Sequence, residues 1–403
     1  MEKIMYTHKT MAVLAATALF ATVGAASAQT VNVTGGGASI PATLYKGSDD
    51  SILPANFSYA VTGSGTGKKA FLENNAALFS TTGTVHFAGS DSVLSSAELS
   101  TYNNTYNVAA DANRYGPLIQ VPSALMPIVI PFNKGGPALD LNVTQICGIF
   151  SGKINDWSQL AGSGRVGHIS VVYRPESSGA SEILTRFLTS ACQPADVSGT
   201  TLKLRNGEPA FSVQSNFADL FTKSIHGSNT PVNFVAAPSM GDTSHYKAVY
   251  ALEGRIGYVG PDVVPNLADA TRIATVKGFS PGDVNVQATI ETVAPPTGAA
   301  ADNPANWVPV FGNPSTGYPI VGYTSFVFGQ CYKDVHVGAR LRGFLFRHYN
   351  TGAVGNNDAP LSAHGFIPLT KAWRDAIREH FAVANRSTAL NNPAACNGIG
   401  RPL

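Results

Sequence analysis

Three short loops rich in Gly and Ser each stand before a helix-like run, and one of them carries an arginine. Thr34-Gly35-Gly36-Gly37-Ala38-Ser39-Ile40-Pro41 leads into Ala42-Thr43-Leu44-Tyr45, with Pro41 suited to a first helical position. Thr62-Gly63-Ser64-Gly65-Thr66-Gly67 leads into Lys68-Lys69-Ala70-Phe71-Leu72-Glu73. Arg174-Pro175-Glu176-Ser177-Ser178-Gly179-Ala180-Ser181 precedes a run whose Ile183, Leu184, Phe187 and Leu188 share one helical face. The first turn of a helix has unpaired N–H groups and partial positive charge, and small residues before it let an anion reach the backbone. Ser39, Ser64, Ser178 and Ser181 can add hydroxyl donors, and Arg174 a charge-assisted fork. The same residues also serve as ordinary helix caps. The chemistry expected from this set alone is an oxyanion site.

Asp91 narrows the expectation. Residues 85–91, Val-His-Phe-Ala-Gly-Ser-Asp, read as a strand ending in a polar turn. Open α/β sheets bind ligands at that end of their strands. A carboxylate beside an anion is useful when the ligand has a proton to donate. Phosphate keeps a P–OH at neutral pH and sulfate has none, so an ionised Asp91 accepts from the first and repels the second. The competing role for Asp91 is a turn cap.

The elements needed to position these groups are legible. Residues 57–61 and 169–173 read as strands ahead of the second and third loops, and 320–328 as a further strand. Residues 339–349 and 369–383 read as amphipathic helices, and 295–304 as a surface loop. Strands alternating with helices argue an α/β class without internal repeats.

The chain has 403 residues, enough for two or three domains. Apolar residues make up 44% and charged residues 13%, with a formal charge of +2. That excludes a nucleic-acid binder driven by basic charge and a disordered chain. Residues 1–28 read as a signal peptide: Lys3 and Lys9 start it, an apolar run follows, and Ala26-Ser27-Ala28 suits cleavage before Gln29. No Cys follows the apolar run, so no lipid anchor is expected. No later run is long enough for a membrane helix, so a transport role needs another protein as channel. Cys147, Cys192, Cys331 and Cys396 are expected to form disulfides in an exported chain. Three pairings are open; the sequential one closes each bridge within one region. Zinc is disfavoured, because no C-x-x-C or H-x-x-x-H spacing occurs.

The sequence resembles the phosphate-binding components of bacterial ABC phosphate transporters, and specifically their DING branch. The ordered segments that carry the likeness are 35–41, Gly-Ser-Gly-Thr-Gly-Lys at 63–68, Ala-Gly-Ser-Asp at 88–91, 174–181, Ile-Cys-Gly-Ile-Phe-Ser-Gly-Lys-Ile-Asn-Asp-Trp at 146–157 and Ile-Gly-Tyr-Val at 256–259. The likeness spans roughly 31–400.

The resemblance implies a type II periplasmic-binding-protein fold, with two α/β lobes, two crossings and a ligand cleft between them. Lobe I is expected at 29–124 and 319–403, and lobe II at 125–318, with the sequential disulfides falling one per lobe. It further implies that Ser39 and Ile40 contact phosphate, Ile40 through its N–H. Ser64 donates its hydroxyl and N–H, and Gly65 supports that turn. Asp91 accepts the phosphate proton. Arg174 makes the charged contact with Glu176 orienting it, and Ser178, Gly179 and Ala180 form a helix-end cradle. The expected partners are inorganic phosphate and an ABC permease, with no cofactor, no catalytic residue and a monomeric chain in the periplasm or secreted. Two departures stand out. Ala180 replaces the family's usual Thr, one hydroxyl fewer, with Ser181 as the expected compensation; a lost bond to a charged partner is worth about 1–3 kcal/mol. Val31-Asn32-Val33-Thr34-Gly35 stands where the branch's Asp-Ile-Asn-Gly start belongs.

Rival functions are a phosphatase, with Ser39, Ser64 or Ser178 as nucleophile; a binder of another oxyanion; and a secreted surface protein. No His is placed in the sequence as an obvious partner base, and the nine His are expected in surface or structural roles. Gly278-Phe279-Ser280-Pro281-Gly282 matches a nucleophile elbow, but Pro281 lacks the N–H needed there. Residues 63–69 fail the P-loop spacing, and Ser244-His245-Tyr246-Lys247 lacks the companion motifs of an S-x-x-K enzyme. Trp157, Trp307 and Trp373 are expected in the core.

Overall fold

The computed structural model describes residues 31–222, 230–352 and 355–403. The expected signal peptide, 1–28, lies outside them. In chain order the strands are β1 (Gly35–Gly37), β2 (Ala60–Val61), β3 (Phe87–Ser90), β4 (Leu118–Pro127), β5 (Ile130–Asn133), β6 (Asp140–Leu141), β7 (Ser170–Tyr173), β8 (Leu204–Arg205), β9 (Glu208–Pro209), β10 (Phe234–Ala236), β11 (Arg255–Ile256), β12 (Ile273–Val276) and β13 (Val321–Gly329). The helices are α1 (Ala42–Tyr45), α2 (Ser64–Leu72), α3 (Ser96–Thr105), α4 (Val143–Ser151), α5 (Gly179–Ala191), α6 (Pro194–Val197), α7 (Asp242–Tyr250), α8 (Asp283–Ile290), α9 (Val335–His348), α10 (Asp358–Ala363) and α11 (Lys371–Ile377).

Two mixed sheets organise the molecule. The first has the order β2-β1-β3-β13-β4 and the second β10-β7-β11-β5-β12-β6; β8 and β9 form a separate hairpin. In the first, β1 runs parallel to β2 and β3, and β13 runs antiparallel to β3 and β4. β4 and β13 are buried along their whole length, as mainly apolar strands covered on both faces should be. The chain leaves the first sheet after Pro127, enters the second at Ile130, and returns before Val321. The two crossings lie side by side: Ile128 N–H donates to Ile320 O (2.8 Å), and Tyr318 Oη donates to Ile128 O (2.9 Å).

The first glycine run is strand, not loop. Gly35–Gly37 forms the centre of the parallel part of the first sheet. A Cβ at Gly35 would lie 2.2 Å from the Phe87 ring, and one at Gly36 would lie 2.5 Å from the Ala60 carbonyl oxygen. The glycines therefore let neighbours pack onto the strand, and only Ala38-Ser39-Ile40-Pro41 forms the turn into α1. Other expectations shift at their ends. Residues 57–61 reduce to β2 plus an isolated bridge from Phe57 to Val33. Residues 369–383 split into α11 and a π-helical turn, Arg378–Ala382. Residues 295–304 are surface loop apart from a 3-10 turn, Gly298–Asp302, that buries Ala301. Trp157, Trp307 and Trp373 all sit in the core.

The cysteines pair sequentially, Cys147 with Cys192 and Cys331 with Cys396. They close loops spanning 45 and 65 residues. Loops of that length restrict the unfolded chain by about 4 kcal/mol each in the chain-entropy picture. Cys147 is on α4 and Cys192 caps α5, so the first bridge ties together two helices flanking the second sheet.

Candidate functional site

The site lies where helix starts from the two sheets meet. Gly63, at φ +85°, turns the chain out of β2 so that α2 begins at Ser64. Asp91 follows β3 directly. Its N–H donates to Ser64 Oγ (3.0 Å), which leaves the Ser64 hydroxyl hydrogen free to donate elsewhere. From the other sheet, β7 ends at Tyr173 and Arg174 follows. Ser178 caps α5, its Oγ accepting from Ala180 N–H (3.2 Å).

These ends touch. A Cβ on Gly179 would lie 2.0 Å from Asp91 Cβ, and one on Gly65 would lie 2.7 Å from Ser177 Oγ. Ile40 presses on Gly260, where a Cβ would lie 2.2 Å from its Cγ2. Ser39 Oγ accepts from Arg174 Nη2 (2.9 Å). The two sides are therefore closed on one another.

Arg174 is fully buried. Its Nε donates to Glu176 Oε1 (2.7 Å), and its Nη1 and Nη2 pair with Asp242 and Glu176. With the bond to Ser39, four of the guanidinium's five N–H groups have protein partners. Burial alone would release the proton more easily, but Asp242 and Glu176 reverse this and raise Arg174 above its ordinary range. Asp242 also accepts from Gly260 N–H (3.0 Å), and Glu176 from Gly241 N–H (3.0 Å). Two carboxylates face one guanidinium, so the cluster carries no surplus positive charge. An anion placed here would meet oriented N–H and O–H groups without a net positive charge.

Asp91 is buried, and its Oδ1 has no partner among the described residues. Burial pushes its carboxyl up to about 8; Thr324 and Arg174 hold it down in part, and Asp242 and Glu182 push it further. Removing a carboxylate from water costs more than one guanidinium already shared by two acids can return, so burial in the closed cleft favours the protonated form.

Ser39, Ile40, Ser64, Gly65, Asp91, Arg174, Glu176, Ser178, Gly179 and Ala180 thus converge from both sheets. Ser181 does not turn toward them. Its Oγ meets Tyr258 Oη (2.8 Å), which also accepts from Arg174 N–H (3.2 Å). It supports the strand end behind Arg174 and supplies no hydroxyl in place of the one absent at Ala180. Sequence reasoning missed Asp242 and Thr324. Asp242 stands at the start of α7 after Gly241, where an acid reads as an ordinary helix-start residue. Thr324 lies inside the buried strand β13 between Tyr323 and Ser325, where its hydroxyl gives no distinct signal.

Known proteins share this arrangement. A family model described as the PBP superfamily domain matches residues 21–345. The chain belongs to the PBP superfamily. Among its relatives, "Alkaline phosphatase L" of Pseudomonas aeruginosa is 48% identical over 379 residues, covering 93% of this chain and 95% of that protein. A solved phosphate-binding protein from Stenotrophomonas maltophilia is 72% identical with a TM-score of 0.89, covering 93% of this chain and 100% of that one. A high affinity periplasmic phosphate-binding protein, PfluDING, solved with bound phosphate, is 42% identical with a TM-score of 0.81 and the same coverage. The likeness to DING-type phosphate-binding proteins read from the sequence holds, and so does the type II periplasmic-binding fold. Among the described residues no helix is long and apolar enough to cross a membrane, and no three His, Cys, Asp or Glu are grouped as ligands for a metal ion.

Proposed function

We propose that this PBP superfamily protein binds inorganic phosphate between two lobes, 29–124 with 319–403 and 125–318, and delivers it to an ABC permease. It does so as a monomer, in the periplasm or outside the cell, after loss of residues 1–28. The observation that carries the reading is the meeting of two helix N-termini, at Ser64 and Gly179, around a buried acid with an unpartnered oxygen. Ser39, Ile40, Ser64, Ser178, Gly179, Ala180 and Arg174 supply donors to the phosphate oxygens. Phosphate binding by the solved relatives supports the same reading. The side-by-side crossings at Ile128 and Ile320 support a hinge between the lobes.

One proton lies between Asp91 and the ligand, and its source decides selectivity. Hydrogen phosphate brings its own, so it suits an ionised Asp91 as well as a protonated one. Sulfate brings none and needs the protonated acid. Asp91 is raised in the closed form, so closure without ligand takes up a proton. That contribution is full at low pH and is lost between the ordinary carboxylate range and about pH 8. The expected result is a phosphate-over-sulfate preference that grows by at least about tenfold from pH 6 to pH 9, since the protonated fraction falls tenfold per unit above the pKa. Asp91→Asn, which always presents a donor, should flatten that dependence and let sulfate compete. Titration calorimetry with both anions measures it. Sulfate binding as tight as phosphate at pH 9 in the wild-type protein would sink the assignment.

The relatives named alkaline phosphatase favour testing turnover as well. The Ser39, Ser64 and Ser178 hydroxyls face Arg174, the Asp91 N–H and the Ala180 N–H, all donors rather than a base. Binding without hydrolysis is the reading this supports. p-Nitrophenyl phosphate turnover by metal-free and metal-loaded protein, abolished in Ser64→Ala, would reverse it.

A further inference from the structure

Beside the cleft, a second set of contacts joins the same two sides. The turn Pro261–Val263 follows Gly260, the residue under Ile40. Its Asp262 accepts through Oδ2 from Thr43 Oγ1 of α1 (2.7 Å). Its Oδ1 lies 2.6 Å from Nδ1 of His364, the residue that ends α10. Nε2 of the same ring lies 3.2 Å from Asp50 Oδ1 and 3.4 Å from Ser48 Oγ. Gly365 rests on the turn, where a Cβ would lie 2.9 Å from Pro261 Cβ. Thr43, Ser48, Asp50 and His364 all belong to the side of the first sheet, to which residues beyond α10 return by pairing Ile367 with Leu125 of β4. Asp262 comes from the other side, next to the loop that pairs Val259 with Val129.

Ser48, His364 and Asp262 are the residue types of a hydrolytic triad, but the geometry opposes that use. A carboxylate faces each ring nitrogen, an arrangement that favours hydrogen on both, and the protonated ring has no lone pair for a base. The Ser48 hydroxyl is itself turned to Thr43 O (3.1 Å). The His residues are therefore not all incidental, yet this one acts by charge rather than by catalysis.

We infer that His364 is a positioning residue for phosphate binding: its imidazolium clasps Asp50 on its own side and Asp262 across the cleft, and so holds the two sides closed. The inference rests on the phosphate reading above. Opening removes Asp262 from the ring but leaves Asp50, so the closed form binds the ring's proton more tightly. Burial would lower His364, yet Asp262 and Asp50 together raise it above its ordinary value. A group raised in the closed state favours closure at low pH, and the contribution is lost as pH rises through its closed-state pKa. Other charges on the packed elements are Lys46 and Asp49 after α1, and Asp358 at the start of α10, which is paired with Arg374 (2.7 Å). Behind Asp262 stands Asp242, the acid that holds Arg174, so the clasp borders the anion site through two neighbouring carboxylates.

The test is phosphate titration calorimetry on the full chain, wild type against His364→Gln and Asp262→Asn, from pH 5.5 to 9. A one-unit difference in ring pKa between open and closed forms changes closure about tenfold. Each variant should therefore bind about tenfold more weakly than wild type at pH 6, with the ratio shrinking toward one by pH 9. Titration of phosphate itself and of Asp91 cancels in that ratio. A ratio that stays flat across the range overturns the clasp. If wild type does not bind phosphate at all, the phosphate reading falls instead. The clasp is then judged by NMR titration of the His364 ring: a higher pKa in wild type than in Asp262→Asn supports it, and equal midpoints overturn it.

Discussion

Replacing Arg174 by alanine should abolish tight phosphate binding and destabilise the protein together. The guanidinium is fully buried and is the cation between a buried acid, Asp242, and a partly buried one, Glu176. Removing it strands both carboxylates, and breaking a buried pair in this way costs about 3–5 kcal/mol. A lost charge-assisted contact to the ligand costs a comparable amount, so affinity should fall by roughly two to four orders of magnitude. Arg174→Lys separates the two effects. Lysine keeps the charge but not the fork that reaches Glu176, Asp242 and Ser39 at once. It should recover part of the stability and little of the affinity. Urea unfolding and calorimetry on both variants measure this; Arg174→Ala binding phosphate within threefold of wild type would remove Arg174 from the site.

Gly179→Ala should cripple binding while leaving the fold intact. Alanine is the better helix former by about 1 kcal/mol, so α5 itself gains. The added methyl, however, falls 2.0 Å from Asp91 Cβ and 2.8 Å from the Asp91 backbone, which cannot yield as a flexible side chain could. The two sides contact each other at this point, so the methyl props the cleft open. Phosphate then loses its simultaneous contacts with both sides, and affinity should drop by at least about a hundredfold, the worth of two neutral or one charged hydrogen bond. Gly65→Ala is the matched control. Its methyl meets Ser177 Oγ at 2.7 Å, a hydroxyl that can rotate away, so the loss should stay within a few-fold. Equal effects of the two substitutions would show that closure does not bring Gly179 onto Asp91. A thermal melt of each variant checks that the fold survives.

Much of the fold and site was legible because local chemistry and the fold agree. The Gly/Ser runs 62–67 and 174–181 mark approaches to helices by residue type alone, although the helices begin inside those runs, at Ser64 and Gly179. The alternation of strands and helices and the Trp core followed in the same way, whereas the sequential cysteine pairing came from the family resemblance, the residues alone leaving three pairings open. Where reading failed, a tertiary demand had overridden local preference. Gly35–Gly37 reads as loop because glycine frees the backbone, yet the ring of Phe87 and the carbonyl of Ala60 require glycine in a strand. Ser181 has the right type for a cradle but spends its hydroxyl on Tyr258, some seventy-seven positions away in the chain. Asp242 and His364 gave no signal, since each gains its role only from residues 68 and 102 positions distant, Arg174 and Asp262.

By itself the sequence determined the donors: small residues before helices, an arginine, and an acid at a strand end, in an order that specifies an oxyanion. These are properties of residue types and short spacings, and no packing is needed to read them. The tertiary structure alone decided how those groups are charged. Burial raises the carboxyl of Asp91, Asp242 from a distant element joins Glu176 against Arg174, and the contact of Gly179 with Asp91 makes closure a single tight fit. Solvation and through-space charge depend on neighbours brought together by folding, and a linear sequence carries neither.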